Sequence, residues 1–397
     1  MKPTNHVYED KYDVTILVLQ GGGALGAYQA GVYEGLAGAG ISPDWITGVS
    51  IGGVNAALIA GNPPEQRVTR LREFWSAVSS GAFGAFIATD RPLADPWRDS
   101  LSRASAATAA TLGVPRFFSP RVPPAVLMPP GREQALSFYD TSPLRATLEE
   151  LVDFQLINRR AVRLSLGAAN VETGNSTYFD SHQMRIRPEH VLASGALPPA
   201  FAPVEVEGQF YWDGGIVSNT PLWYVLDNLP PSMKALILQV DLFSATGERP
   251  RDLAQVMERH KDIMYSSKTR FNTTRVRELQ QLRTPLHRLL KKLPEKLAND
   301  PDAQALAKLC SAAQIDIVHF INRHSTNASF SKDYDFSRAT MRRLWEAGLE
   351  DVRRSVAHPE WLKRSRVSMG IEVYDLTRND IPVGAQSPRN LSKAGSR

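Results

Sequence analysis

Cysteine is almost absent: Cys310 is the only one in 397 residues. That excludes an intrachain disulfide framework and any cysteine-rich metal centre, and fits a reducing compartment. Long apolar runs are missing as well. No stretch reaches the roughly 18 apolar residues of a membrane-spanning helix, so any contact with a bilayer is made from the side. Met1 to Tyr12 is polar and charged and lacks the apolar stretch of an export signal. The expected location is therefore cytoplasmic, at most membrane-peripheral. No group of His, Cys, Asp and Glu has ligand spacing, so neither a metal nor another cofactor is expected. Charge of one sign is only mildly in excess, at +5 with a sequence pI near 9.2. Such a balance suits an anionic lipid surface, and no nucleic-acid partner is expected. What remains is an ordinary globular composition, 43% hydrophobic and 22% charged, long enough to bury a sizeable core.

Within that composition one stretch stands out. Gly48-Val49-Ser50-Ile51-Gly52 lies between the apolar run Trp45-Ile46-Thr47 and the Ala-rich run Gly53 to Ala60. A strand that turns sharply into a helix leaves no room for a Cβ on either side of the turn, which is why Gly48 and Gly52 flank Ser50. The turn lifts the serine hydroxyl to a helix N-terminus, where developing negative charge is favoured.

A second glycine run precedes it. Val14 to Leu19 reads as a buried strand, Gln20-Gly21-Gly22-Gly23-Ala24-Leu25-Gly26 follows, and a helix begins at Ala27. Successive backbone N–H groups at such a junction make an anion site. Two readings compete for it. Gly21, Gly23 and Gly26 satisfy the dinucleotide fingerprint G-x-G-x-x-G, but the acidic residue at the right distance, Asp44, precedes its strand instead of closing it. In the other reading the N–H groups of Gly22 and Gly23 form an oxyanion hole for an intermediate on Ser50.

Further along, Val68 to Val78 reads as a helix, and from Ser79 to Phe138 helical and strand periodicity both fail. A segment of that length suggests a lid or flexible insertion, its aromatic residues either packed on the core or lining an acyl entrance. Val162 to Ala169 and Ser176 to Asp180 form an antiparallel pair. Phe210-Tyr211-Trp212 then runs into Asp213-Gly214-Gly215, which sets a carboxylate at a strand end, and Lys234 to Val240 is another strand. The alternation predicts an α/β fold with a mostly parallel central sheet sandwiched by helices, its site at the carboxyl ends of the strands. A conventional triad would need a histidine after Asp213. Only His319, behind Ile315-Asp316-Ile317-Val318, has a strand-like approach.

The three groups together, Gly21 to Gly26, Gly48 to Gly52 and Asp213 to Gly215, resemble the patatin-like phospholipase family in order and spacing. Ala193-Ser194-Gly195-Ala196-Leu197-Pro198-Pro199-Ala200-Phe201 and the run from Asp213 to Pro221 are similar to that family's segments too, and Leu25 stands where many members carry Arg or Lys. The resemblance covers roughly residues 10–245. It implies a serine lipid acyl hydrolase with a Ser–Asp dyad. Ser50 would be the nucleophile and Asp213 the base. The glycine run at Gly21, Gly22 and Gly23 would be the oxyanion hole, supported by Gly26, Gly48, Gly52, Gly214 and Gly215. The expected substrate is a lipid or other hydrophobic ester, with a storage polyester as the alternative and nucleotide binding or a non-catalytic lipid scaffold behind it.

From Arg249 to Lys296 there are thirteen Lys/Arg against five Asp/Glu, a formal +8. Leu279, Leu282, Leu286, Leu289 and Leu293 recur there at helical spacing. Such a helix either docks its leucines on the core or lies on an anionic membrane, and the first is expected. The organisation predicted is a catalytic α/β domain over 1–245 with a lid-like insertion at 79–138, a mainly helical basic extension over 246–376 packed on the core, and a disordered tail over 377–397.

Overall fold

The computed structural model describes residues 11–80, 95–230, 232–266, 285–309, 313–323, 332–358 and 370–377. Cys310, Leu279, Leu282 and the 378–397 tail lie outside the described residues.

β1 (Val14–Leu19) leads into α1 (Ala27–Gly38), β2 (Trp45–Val49), α2 (Ile51–Ala60) and α3 (Pro64–Val78). A two-stranded ribbon of β3 (Ser119–Pro120) and β4 (Tyr139–Asp140) precedes β5 (Arg163–Asn170), β6 (Ser176–Asp180), β7 (Val204–Val206), β8 (Gln209–Asp213) and β9 (Lys234–Asp241). β10 (Gln314–Ile321) and β11 (Gly370–Asp375) complete the set. Nine strands make the central sheet, in the order β11-β10-β9-β1-β2-β5-β8-β7 with β6 also on β5. The strands from β11 to β5 are parallel, and β6, β7 and β8 enter antiparallel. The mostly parallel, helix-flanked sheet expected from the alternation is present.

Both faces are covered, because β1 alternates between two cores. Leu17 and Leu19 belong to the larger one with α1, α2 and α3, while Ile16 and Val18 pack with Trp45, Leu222, Val225, Ile237 and Ile317. The helix Arg338–Ala357 is capped by the Ser337 side chain, which accepts from the Thr340 N–H, and it lies directly on α1. There the two backbones touch: a Cβ on Gly31 would come within 1.9 Å of the Trp345 carbonyl oxygen, and one on Gly348 within 2.2 Å of that of Tyr28. The buried Tyr28 hydroxyl donates to Asp351 across this contact at 2.6 Å.

Several elements depart from the sequence reading. A helix over Asp95–Leu112 occupies the stretch where no periodicity was expected. Its Ala, Ser and Thr residues give helical propensity without an apolar stripe, so pattern alone cannot reveal it. The strand expected over Ile315–Ile321 joins the sheet as β10 against β9, while β11, outside it, was not expected. The leucines expected to dock do not join the core: Leu289 is exposed, and Leu286 and Leu293 are only half-buried.

Candidate active site

Three loops meet at the carboxyl ends of β1, β2 and β8. The register of β5 brings the last two together. A strand has two edges, and β6 occupies one of them along Ser165 to Ala169. The other edge is left to β2 as far as Gly167, paired with Val49, and to β8 from Ala168, paired with Asp213. β2 runs parallel to β5 and β8 antiparallel, so the two strands point at each other end to end. Ser50 follows β2 directly and Asp213 is the last residue of β8, so the Ser50 hydroxyl comes close enough to the Asp213 carboxyl to influence its ionisation.

Ser50 adopts φ 56° and ψ −128°, a strained conformation for a residue with a side chain, costing on the order of 1–3 kcal/mol. Packing holds it there. A Cβ on Gly48 would lie 2.3 Å from the Gly52 carbonyl oxygen, and one on Gly52 would lie 2.4 Å from that of Leu19. The Ser50 N–H donates to the Ser194 carbonyl at 3.0 Å and approaches its hydroxyl at 3.2 Å, while that hydroxyl donates to the Gly167 carbonyl at 2.7 Å. Ser50 is also the N-cap of α2, whose dipole favours an anion there.

Asp213 is buried, at 1% exposure. Burial pushes its carboxyl up to about 6 from an ordinary 3.8, opposed by the nearby Ser50 hydroxyl and by the hydrogen bond from the Gly215 N–H at 2.7 Å. Desolvation therefore leaves a carboxylate more basic than an aspartate in water, which is what a general base near neutral pH requires.

The glycine loop lies beside the serine: a Cβ on Gly21 would come within 3.0 Å of the Ser50 Cβ. Gly22 and Gly23 are partly exposed, whereas Gly21, Ala24 and Gly26 are buried. Of the three glycines, Gly21 has its N–H engaged, donating to the Asn219 carbonyl at 3.2 Å. Gly23 has φ +54°, and the Asp333 carbonyl oxygen sits where its Cβ would be, at 2.4 Å. Gly26 packs on Ile51 and Trp75, Gly214 on the Gly167 backbone, and Gly215 against Asn219 and Asp213.

Three residues that hold these loops were not singled out from sequence. Asn219 bridges them: its Nδ2 donates to the Gly21 carbonyl at 3.1 Å and to the Tyr265 carbonyl at 2.9 Å. Gln20 is fully buried, with Oε1 accepting from the Leu242 and Phe243 N–H groups at 2.6 and 3.0 Å and Nε2 donating to Thr220 Oγ1 and the Tyr265 carbonyl. Its own carbonyl accepts from Gln29, which accepts from Asn55, so the loop backbone is tied into helices α1 and α2. Ser194 pins the elbow, as described. The signal for Asn219 was its place in the run Asp213 to Pro221, and for Ser194 its place in the run Ala193 to Phe201; the buried glutamine carries no such mark.

Other expected features fall elsewhere. Asp44 accepts from the Thr15 N–H at 2.8 Å, ahead of β2 and at the opposite end of the strand from Ser50. His319 is buried near the end of β10, in the fields of Asp241 and Asp375, while the groups that act on Asp213 are Ser50 and the Gly215 N–H. Among the described residues no group of His, Cys, Asp and Glu could hold a metal ion, and no helix is long and apolar enough to cross a membrane.

A family model described as patatin-like phospholipase matches residues 17–226, and one described as patatin phospholipase matches residues 263–368. A search of curated proteins finds no match. Among solved structures, VipD from Legionella pneumophila aligns at 13% identity and TM-score 0.33, over 86% of this chain and 66% of that one. The type III effector ExoU, of Pseudomonas aeruginosa, aligns at 14% identity and TM-score 0.30, over 85% and 52%. Human GIVD cytosolic phospholipase A2, in complex with methyl gamma-linolenyl fluorophosphonate, aligns at 13% identity and TM-score 0.36, over 87% and 58%. The chain therefore spans between about half and two thirds of the length of these structures.

Proposed function

The chain belongs to the patatin-like phospholipase family, and on that premise we propose that it is a serine hydrolase of lipid acyl esters working through a Ser50–Asp213 dyad. The observation that carries this reading is the meeting of two strand ends on one β5 edge, which sets the strained Ser50 beside the buried Asp213 carboxyl.

In the acylation step Ser50 Oγ attacks the ester carbonyl carbon as its proton passes to Asp213. The carbonyl oxygen becomes an oxyanion and is stabilised by the N–H groups of Gly22 and Gly23. Collapse breaks the ester C–O bond, and the leaving alcohol takes the proton from Asp213. Water then attacks acyl-Ser50 and gives its proton to Asp213. The fatty acid departs as Ser50 Oγ recovers that proton. Residues 1–245 carry this chemistry, and the basic stretch 249–296 attracts the enzyme to an anionic lipid surface in a cytoplasmic, membrane-peripheral setting.

Intact-mass spectrometry after exposure to a fluorophosphonate tests the dyad. One adduct is expected on wild type, none on Ser50→Ala, and a labelling rate lowered by roughly 10²–10⁴ on Asp213→Asn. An adduct on another residue, or labelling of Asp213→Asn at the wild-type rate, would refute it.

A further inference from the structure

The helix Leu253–Tyr265 is built inside out. Glu258, Arg259, Lys261, Asp262 and Tyr265 make the half-buried side that faces the protein, and four of the five are charged. Leu253, Val256, Met257, Ile263 and Met264 lie on the outer side, between 43% and 74% exposed. Rotation about the helix axis, which would bury the apolar side, is prevented by ion pairs. Lys332 is itself only 4% exposed and pairs with Asp262 at 2.6 Å and Glu258 at 3.2 Å, and Lys261 pairs with Asp333 at 2.5 Å. Buried pairs of this kind are costly to break, because each partner would be left desolvated and uncompensated.

The same contacts fix the helix against the site. Asp333 presents its carbonyl to Gly23, and the helix ends where the Tyr265 carbonyl accepts from Asn219 and Gln20. The 213–219 loop at this end carries two more outward apolar residues, Ile216 and Val217, both exposed.

We infer that the outer face of Leu253–Tyr265 is a docking surface for an anionic lipid bilayer, inserting its apolar stripe and setting the adjoining site at the interface. This deepens the lipid-hydrolase reading and rests on it. Two observations select a lipid surface over a protein groove. The stripe opens a stretch, Arg249 to Lys296, with thirteen Lys/Arg against five Asp/Glu, so apolar insertion is paired with attraction to anionic headgroups. The stripe also adjoins the loop that carries Asp213, which is where a substrate drawn from a bilayer must arrive.

The test is sedimentation with vesicles of phosphatidylcholine alone and of phosphatidylcholine with phosphatidylglycerol, using wild type and the double variant Val256→Asp/Met257→Asp. Both side chains are exposed, so the fold is retained. Hydrolysis of a water-soluble short-chain ester is measured in parallel. Wild type is expected to bind the anionic vesicles, and the double variant to lose roughly tenfold or more of that binding while hydrolysing the soluble ester at the wild-type rate. A control placing a charge on a distant exposed apolar residue, Leu127→Asp, is expected to bind like wild type. Equal binding by the double variant, no vesicle binding by wild type, or a self-associated wild type that the double variant turns into monomers would each overturn the inference. Failure of the soluble-ester assay with wild type would instead overturn the catalytic reading, which keeps the two apart.

Discussion

Replacing Asp213 by Asn is expected to abolish catalysis and to gain stability relative to wild type as pH rises. Folded Asp213 holds its proton up to about pH 6, whereas the unfolded residue releases it near 3.8. Between those values the folded chain binds the extra proton, so stability falls as pH rises through the window. A rise of this size corresponds to about 3 kcal/mol once both states are ionised, of which about 1 kcal/mol has accrued by pH 4.5 and nearly all by pH 8. Asparagine has the same shape and never ionises. Its contacts with Ser50 and the Gly215 N–H change equally at every pH, so they cancel when two pH values are compared. The stability of Asp213→Asn relative to wild type should therefore grow by about 2 kcal/mol between pH 4.5 and pH 8. Urea unfolding at both values, with linear extrapolation, measures it. In the same samples wild-type kcat/KM should fall below about pH 6 as the base is protonated, and the variant should stay low throughout. A stability difference that does not vary with pH would show that Asp213 titrates like an exposed carboxylate, and the account of it as a burial-tuned base would be lost.

Two further substitutions probe the loops around the dyad. Gly23→Ala meets both a positive φ and the Asp333 carbonyl; it should cost at least about 1–2 kcal/mol and lower kcat by roughly 10² or more. Gly131→Ala, at φ +86° in open space, serves as the control that carries backbone strain alone, and equal kcat in the two variants would remove Gly23 from the oxyanion hole. Asn219→Ala removes the side-chain donor from the Gly21 carbonyl, at about 1–3 kcal/mol, and leaves the Tyr265 carbonyl to Gln20 alone. Steady-state kinetics should show kcat reduced with KM little changed, since Asn219 positions the glycine loop and does not touch the ester. A change confined to KM would contradict that role.

Much of the site is legible along the chain because its requirements are local and steric. Gly48 and Gly52 mark places where a Cβ cannot fit, and each clash predicted from the turn is met by a backbone atom, four residues on for Gly48 and on the neighbouring β1 for Gly52. The apolar runs of β1, β2, β5 and β9 are likewise read directly, since both faces of each are covered. The helix Asp95–Leu112 escaped because its composition lacks a stripe. Gln20 escaped because a buried hydrogen bond leaves no trace in periodicity.

The chain by itself determined the α/β class, through its alternation of apolar strands and helices, and the sharp turn around Ser50, through local sterics; its resemblance to a known family marked out the serine, the aspartate and the glycine loop as candidates. Only the tertiary structure decided how they meet. Ser50 and Asp213 are 163 residues apart, and what joins them is the sharing of one β5 edge by two strands running in opposite directions. The basicity of Asp213 follows from burial, and the outward turn of Leu253–Tyr265 follows from ion pairs with Lys332 and Asp333. Desolvation and long-range pairing depend on what the rest of the molecule brings alongside, which no local pattern of residues encodes.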